Sequence, residues 1–400
     1  YAYQDDHIRF ALLSRGAIEW LKKTSWTPDI VNANDWHTGY LVNDLRTLYK
    51  DNNKLKKTGI VFSIHNLPYQ GMTDFKYASD MDFDDGKGKL SPFFQPRLKK
   101  QNSVKRGIIY SDVVNTVSKT YAHEILTEKY GEGLHHLLKE VRTKVFGILN
   151  GLDYTEFNPK TDKIILKNYS LNNLKIRQEN KLDLQAEFGL PQQLDIPILA
   201  IVGRLTGQKG IDLIRSVIPY LLKEYDIQFI ALGEPDHGAR QLFVELEKKY
   251  PDKVGTHLMA NFTLPRKIFA GADIFLIPSV YEPGGITAIE AMRYGCIPLV
   301  RETGGLADIV DNYQPQTNTG TGFSFKNYDQ WAFFAAIIRA IETYKNPKVW
   351  QGITRRAMSK DFSWHHSALE YENLYMRAIK FRRESLEDNP HPAYMQRLYI

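Results

Sequence analysis

One cysteine, Cys296, stands among 400 residues. That excludes an internal disulfide framework and suits a reducing compartment. Cys296 lies in Arg293-Tyr294-Gly295-Cys296-Ile297-Pro298, a helix-to-strand turn, and reads as buried structure rather than as a nucleophile. No apolar run approaches the roughly 18 residues of a membrane span. The opening YAYQDDHIRF lacks the charged-then-apolar pattern of a signal peptide and does not begin with Met, so a fragment or a processed form is expected. Charge of one sign is scarce: 52 Lys and Arg against 46 Asp and Glu leave a net +6. This is compatible with anionic ligands such as nucleotides and does not call for nucleic acid. The basic runs 54–57 and 97–106 come with no base-reading module and read as solvated surface. Metal patterns fail as well. His123-Glu124 lacks the second His of a zinc helix. The string from Asp80 to Gly86 has Asp85 where a calcium loop needs Gly, and Ser91 where it needs Glu; its D-x-D element reads as a solvated loop.

What is present is the composition of a globular protein, 43% hydrophobic and 24% charged. The length suggests two or three domains. Short apolar runs alternate with helical patterns, the β-α-β rhythm of a parallel sheet buried on both faces. Strands are expected at 29–34, 60–64, 112–116 and 145–149, with helices over 37–49 and 119–129. The rhythm breaks over 154–195, a polar passage with one helix near 171–187. It resumes with strands at 198–202, 228–232, 274–277 and 297–300. Helices fall at 211–223, 238–249, 286–294 and 331–344, and two more near 348–360 and 367–382 close the fold. This predicts an α/β protein of two doubly wound Rossmann-like domains facing a ligand cleft at the carboxyl ends of both sheets.

Three turns in the second half join a strand to a helix through glycines. Gly203-Arg204-Leu205-Thr206-Gly207-Gln208-Lys209-Gly210 offers close backbone approach, a helix N-terminus and two cations, and it is not a Walker loop. Glu282-Pro283-Gly284-Gly285-Ile286-Thr287 opens a helix that carries Glu290 eight residues after Glu282. Glu282 reads either as a helix-terminal carboxylate or as a cleft group, and Glu290 either as solvated or as functional. Arg301-Glu302-Thr303-Gly304-Gly305-Leu306 is the third turn. One glycine-rich turn is weak evidence, but three at consecutive strand ends converge on one place. In the first half, Asn34-Asp35-Trp36-His37 and Ser63-Ile64-His65-Asn66 also end strands. Asp35 reads as an N-cap or a cleft residue, and a lone His65 is as readily structural. Asn150-Gly151 marks a turn.

Together these residues resemble the bacterial glycogen synthases and plant starch synthases, glycosyltransferases of the GT-B fold. The matching stretches are Asp5-Asp6-x-x-Arg9-Phe10, Asp35-Trp36-His37-Thr38-Gly39, Ile64-His65-Asn66-Leu67-x-Tyr69-Gln70-Gly71, Gly147-Ile148-Leu149-Asn150-Gly151-x-Asp153, and the three glycine turns. They run from Asp5 to about Arg382 in the family's order. The resemblance implies transfer of glucose, with retention, from ADP-glucose or UDP-glucose to the non-reducing end of an α-1,4-glucan. It implies that Arg204 and Lys209 neutralise the leaving diphosphate in place of a metal, so neither metal nor cofactor is expected. Gly203, Gly284, Gly285, Ile286 and Thr287 would add donor contacts, and Glu282 would hold glucose hydroxyls. His65 would lie beside the reacting sugar. Asn66, Asn150, Asp35 and His37 would line the cleft, and Thr303, Gly304, Gly305 and Glu290 would complete the donor side. A cytoplasmic or, in a plant, plastid location follows, with no nucleic-acid partner and no membrane span.

Three departures stand out. The family's lysine–glycine–glycine loop precedes the Asp5-Asp6 motif, so the first domain is expected to lack its N-terminal part. Gly284 and Ala288 stand where bacterial members usually have Cys and Gln. Ala260 takes the place of the adenine-stacking tyrosine, leaving Phe262 as a candidate. Expected domains are residues 1–157, 158–370 and a tail at 371–400 that packs back towards the first. Two other readings share these residues: the same fold with a different acceptor, and a non-catalytic glucan-binding relative.

Overall fold

The structure is a computed structural model and describes residues 3–72 and 83–387. The chain divides into two compact units, residues 1–149 with 367–400, and residues 150–366. The first unit holds α1 (Asp6–Lys23), β1 (Ile30–Asn34), α2 (Asp35–Arg46), β2 (Gly59–Ile64), α3 (Ser103–Tyr110), β3 (Val113–Thr116), α4 (Lys119–Glu124), α5 (His135–Glu140) and β4 (Val145–Gly147). The second holds α6 (Arg177–Glu187), β5 (Ile198–Val202), α7 (Ile211–Glu224), β6 (Gln228–Leu232), α8 (His237–Lys249), β7 (Val254–His257) and α9 (Leu264–Gly271). It continues through β8 (Ile274–Ile277), α10 (Ile286–Arg293), β9 (Ile297–Arg301), α11 (Gly304–Ile309), β10 (Phe323–Phe325), α12 (Gln330–Tyr344) and α13 (Pro347–Ser359). The last helix, α14 (Trp364–Glu387), belongs to the first unit from Ser367 onward.

Both sheets are parallel. The first runs β1-β2-β3-β4 and the second β10-β9-β8-β5-β6-β7. Strands such as GIVFSI and QFIAL are buried at every residue, which is why they read as unbroken apolar runs rather than as alternation. The helices supply the covering faces. On α7, Leu213, Ile214, Val217, Ile218, Leu221 and Leu222 are buried at helical spacing, while Asp212, Arg215 and Ser216 face solvent. In the second sheet the winding reverses between β5 and β8, and an open α/β sheet places its ligand crevice at such a point, beyond the carboxyl ends of the strands.

The first unit's sheet is covered on one face by α14. Leu374 and Ala378 pack on Val61, Val113 and Ile148. The Tyr375 hydroxyl accepts from the Asn32 amide at 3.0 Å, and the Tyr371 hydroxyl from the Asn115 amide at 3.2 Å. Two expectations are corrected in this unit. The basic run 97–106 is not uniformly solvated: Arg106 is buried and pairs with Asp84 at 2.8 Å, while its guanidinium also donates to the Gly88 carbonyl at 3.0 Å. Asp84, expected in a solvated loop, is thereby a core residue; it also accepts the Asn102 N–H at 2.8 Å. Lys54 is likewise engaged, donating to the carbonyls of Leu21 and Thr24. Asp80 and Asp82 of the D-x-D element lie outside the described residues. No helix among the described residues is long and apolar enough to cross a membrane.

Candidate active site

At the switch point of the second sheet, β5 ends at Val202 and the chain turns through Gly203 to Gly210 before entering α7. Gly210 has φ 76°, and a Cβ there would stand 2.2 Å from the Pro278 carbonyl oxygen, so only glycine lets this loop sit on the end of β8. The two loops are tied together. The Gln208 carbonyl accepts the Val280 N–H at 2.9 Å, and the Gln208 amide donates to the Tyr281 carbonyl at 3.4 Å. Lys209 is thereby held beside Glu282: its Nζ lies 2.5 Å from Glu282 Oε2, which also accepts from the Ser279 hydroxyl at 3.0 Å. Arg204 is exposed and reaches Gln208 Oε1 at 3.3 Å. One expected cation is therefore ion-paired to an expected carboxylate, and the other stands in solvent.

The turn after β8 is locked from the side. Gly305 N–H donates to the Glu282 and Pro283 carbonyls, each at 3.0 Å. A Cβ on Gly304 would lie 2.2 Å from the Glu282 carbonyl oxygen, and one on Gly305 2.3 Å from that of Gly284. Thr303, Gly304 and Gly305 are buried, and their backbone is committed to shaping the neighbouring turn. Arg301 supports the same turn from β9, donating to the Ser279 and Val280 carbonyls at 3.2 and 2.6 Å. Gly284 and Thr287 are half-buried and Ile286 is exposed, at the start of α10. The first-turn N–H groups of a helix have no acceptor within it, so this end of α10 can take an anion.

Glu290 is largely buried one turn and more into α10. Burial pushes its carboxyl up to about 7, against the pull of Arg266 and with the help of Glu156. At the end of β7, His257 holds a buried Nε2 with no hydrogen-bond partner among the described residues. Its carbonyl accepts the Gly233 N–H at 3.0 Å. Just beyond it Ala260 is exposed, Met259 is 59% exposed and Phe262 is 93% exposed.

The first unit carries its own cluster at the carboxyl ends of β1 and β2. Asp35 has φ 56°, the left-handed region that a non-glycine residue enters only under constraint, and such residues gather at functional sites. It is not the N-cap. Asn34 holds that position, and the Asp35 carboxylate instead accepts the His65 N–H at 2.7 Å across the strand ends. His65 Nε2 lies 2.9 Å from Asn34 Oδ1. The Asn66 amide oxygen is buried with no partner among the described residues. His37 stacks on Trp36 at 4.3 Å, with Phe10 edge-on to both rings at 5.0 and 4.6 Å. Burial holds its imidazole below the usual histidine range, against Asp35 and Asp6. Further along the same loop, the Gln70 amide donates to the Glu132 carbonyl at 2.8 Å. Asn150 is half-buried at the start of the second unit.

Nothing in the sequence marks Ser279, Arg301, Asn34 or His257 as a site residue. Asn34 and Arg301 lie inside the strand-end motifs, and the role of Arg301 needs the strand neighbour that only the fold supplies. Among the described residues, no three His, Cys, Asp or Glu gather where they could hold a metal ion.

Residues 1–140 match the family model of the starch synthase catalytic domain, and residues 186–357 that of glycosyl transferases group 1. The glycogen synthase of Thermotoga maritima is 43% identical over 381 residues, 95% of this chain and 78% of that protein. This chain belongs to the glycogen and starch synthase family. The glycogen synthase of Thermosipho africanus is 42% identical over 371 residues, covering 92% of this chain and 76% of that protein. Among solved structures, the catalytic domain of starch synthase IV from Arabidopsis thaliana, bound to ADP and acarbose, superposes with a TM-score of 0.83 at 35% identity. The match covers 95% of this chain and 79% of that one. The fold is GT-B, and the enzyme is a glucan-elongating glucosyltransferase that uses a sugar-nucleotide donor.

Proposed function

We propose that this enzyme transfers glucose from ADP-glucose or UDP-glucose to the non-reducing end of an α-1,4-glucan with retention, and that fixed cations of the protein carry the leaving diphosphate without a metal. The observation that supports this most directly is Lys209 held 2.5 Å from Glu282 at the switch point, beside the open N-terminus of α10. The bond from glucose C1 to the diphosphate breaks as the bond to the acceptor oxygen forms on the same face. The acceptor proton passes to the departing phosphate. Negative charge grows on the diphosphate, and in this reading Lys209, Arg204 and the N–H groups of Ile286 and Thr287 meet it. Lys209 has three N–H donors, so it can keep Glu282 and take a phosphate oxygen. Glu282 holds the glucose hydroxyls, and Arg301 and Ser279 act through it as positioning residues. His65, fixed by Asp35 and Asn34, serves the reacting sugar. Phe262, 93% exposed just beyond β7, is the candidate to stack on the base, and the ADP bound to the Arabidopsis relative supports adenine.

The test is nucleotide release from each donor, with and without glycogen, by the wild type and by Lys209→Ala and Glu282→Ala. Each variant is expected to lose about two orders of magnitude, the scale of one electrostatic group in a transition state. Near-wild-type rates in both would overturn these roles. Glycogen-independent release by the wild type would instead point to another acceptor.

A further inference from the structure

The first sheet ends in an open edge. Among the described residues β4 pairs only with β3 and closes the strand order. Its three residues are half-buried, whereas β2 and β3 are buried throughout. The Ile148 N–H donates to the Thr116 carbonyl at 2.9 Å, so the alternation of the strand backbone turns the Gly147 N–H and carbonyl outward. A groove of about 520 Å³ is lined by β4, α4 and α14. These helices lie on opposite faces of the sheet, Tyr121 of α4 against Phe62 and Val114, and Leu374 of α14 against Val61 and Val113. A groove that touches both therefore follows the edge between them. Its floor is apolar, with Ala122, Leu126, Val145, Phe146 and Leu374. Its rim is basic. Lys119, His123, Arg142 and Arg377 are exposed, and Glu370 is the one carboxylate among the lining residues. Lys119 already meets that carboxylate at 3.3 Å. One wall is tightly fixed: a Cβ on Gly147 would stand 2.0 Å from the Ser118 carbonyl oxygen, so β4 lies hard against the start of α4.

We propose that this edge docks an extended acidic segment of a partner protein, which adds a strand beside β4. A peptide can pair with the outward N–H and carbonyl of Gly147 and continue the ladder. In strand addition the main chain supplies affinity, and pockets for alternate side chains supply specificity. Apolar residues of the segment meet the floor, and its Asp or Glu residues meet the basic rim. Charge argues against a second copy of this chain as the occupant. A two-fold axis would bring the same patch onto itself, and with it like charges. Ring content argues against a sugar polymer. Phe146 is the only benzenoid ring among the lining residues, and the Arg377 guanidinium lies over it at 5.2 Å.

The experiment uses the full chain and fluorescence polarisation with short labelled peptides in which Glu alternates with Val or Leu. It compares this acidic peptide with one carrying Lys in place of Glu, and with the acidic peptide N-methylated at alternate residues. It also compares the wild type with the charge-reversing Arg142→Glu/Arg377→Glu. The wild type should bind the acidic peptide. Each change is expected to weaken binding about tenfold, equivalent to about 1.4 kcal/mol. The double variant should keep the wild-type urea midpoint and the wild-type rate of nucleotide release on glycogen. Equal binding of the acidic and lysine peptides, or of neither, overturns the proposal. So does undiminished binding of the N-methylated peptide, which would leave a charged surface without strand addition. Polyglutamate or an oligonucleotide bound as tightly as the alternating peptide would make the edge a general anion surface and also overturn it. Should the double variant unfold, the peptide comparisons still decide.

Discussion

Glu290→Gln separates what a buried carboxyl does for the fold from what it does for the donor. Burial holds this carboxyl up to about 7, from an ordinary 4.5. Between those two values the unfolded chain has released the proton and the folded protein still holds it. Stability therefore falls as pH rises through this window and levels off above it. The full displacement corresponds to about 3 kcal/mol. Glutamine has nearly the same shape and no charge to desolvate. At pH 5 the variant should lie within about 1 kcal/mol of the wild type. At pH 8 it should be the more stable by about 2–3 kcal/mol. Urea midpoints at pH 5, 6, 7 and 8, with unchanged slopes, read this directly. A difference that does not vary with pH would refute the reasoning, because a packing or hydrogen-bond effect has no reason to track the proton. Stabilisation accompanied by a weaker donor interaction would show a carboxylate kept at a thermodynamic cost for its work.

Two further outcomes follow from the packing. Arg106→Leu strands the buried Asp84 carboxylate without its partner, and a loss of about 3–5 kcal/mol should appear in thermal or urea unfolding. Gly304→Ala places a methyl group 2.2 Å from the Glu282 carbonyl oxygen at a left-handed φ of 46°. It should cost about 1–3 kcal/mol and depress nucleotide release, since the backbone it displaces carries Glu282. Gly16→Ala, in α1 where the space is open, should leave nucleotide release unchanged.

The apolar strands were legible because parallel strands buried on both faces leave no polar residue to interrupt the run. Ile198–Val202, Gln228–Leu232 and Ile274–Ile277 appear at their expected bounds. The sequence predicts no helix at α1, α3, α5 or α11, and the two strands that it misses lack that signal. β7 reads Val-Gly-Thr-His, and its Gly255 is there because a Cβ would meet Phe188 at 2.7 Å. β10 has three residues, and α9 opens on Leu264-Pro265. The chemistry-bearing residues announced themselves through glycine turns, but their partners did not. That Lys209 faces Glu282 depends on the loop after β5 touching the loop after β8, two strands adjacent in the sheet and far apart in the chain. Arg106 and Asp84 show the converse error: charge in a basic or acidic run says nothing about burial until its counter-charge is found.

The return of the chain to its first unit at Ser367 sets an order of events during synthesis. The face formed by Val61, Val113 and Ile148 has to wait for Leu374 and Ala378, with all of residues 150–366 made in between. At roughly 5–20 residues per second that delay is on the order of tens of seconds. During it, an apolar sheet face and the Asn32 and Asn115 amides have no cover from their own chain. The inserted unit can complete its sheet first, so the opening segment is the last to be finished. A chain cut at Leu149 would never finish it, and the first unit therefore has to be expressed together with its closing helix.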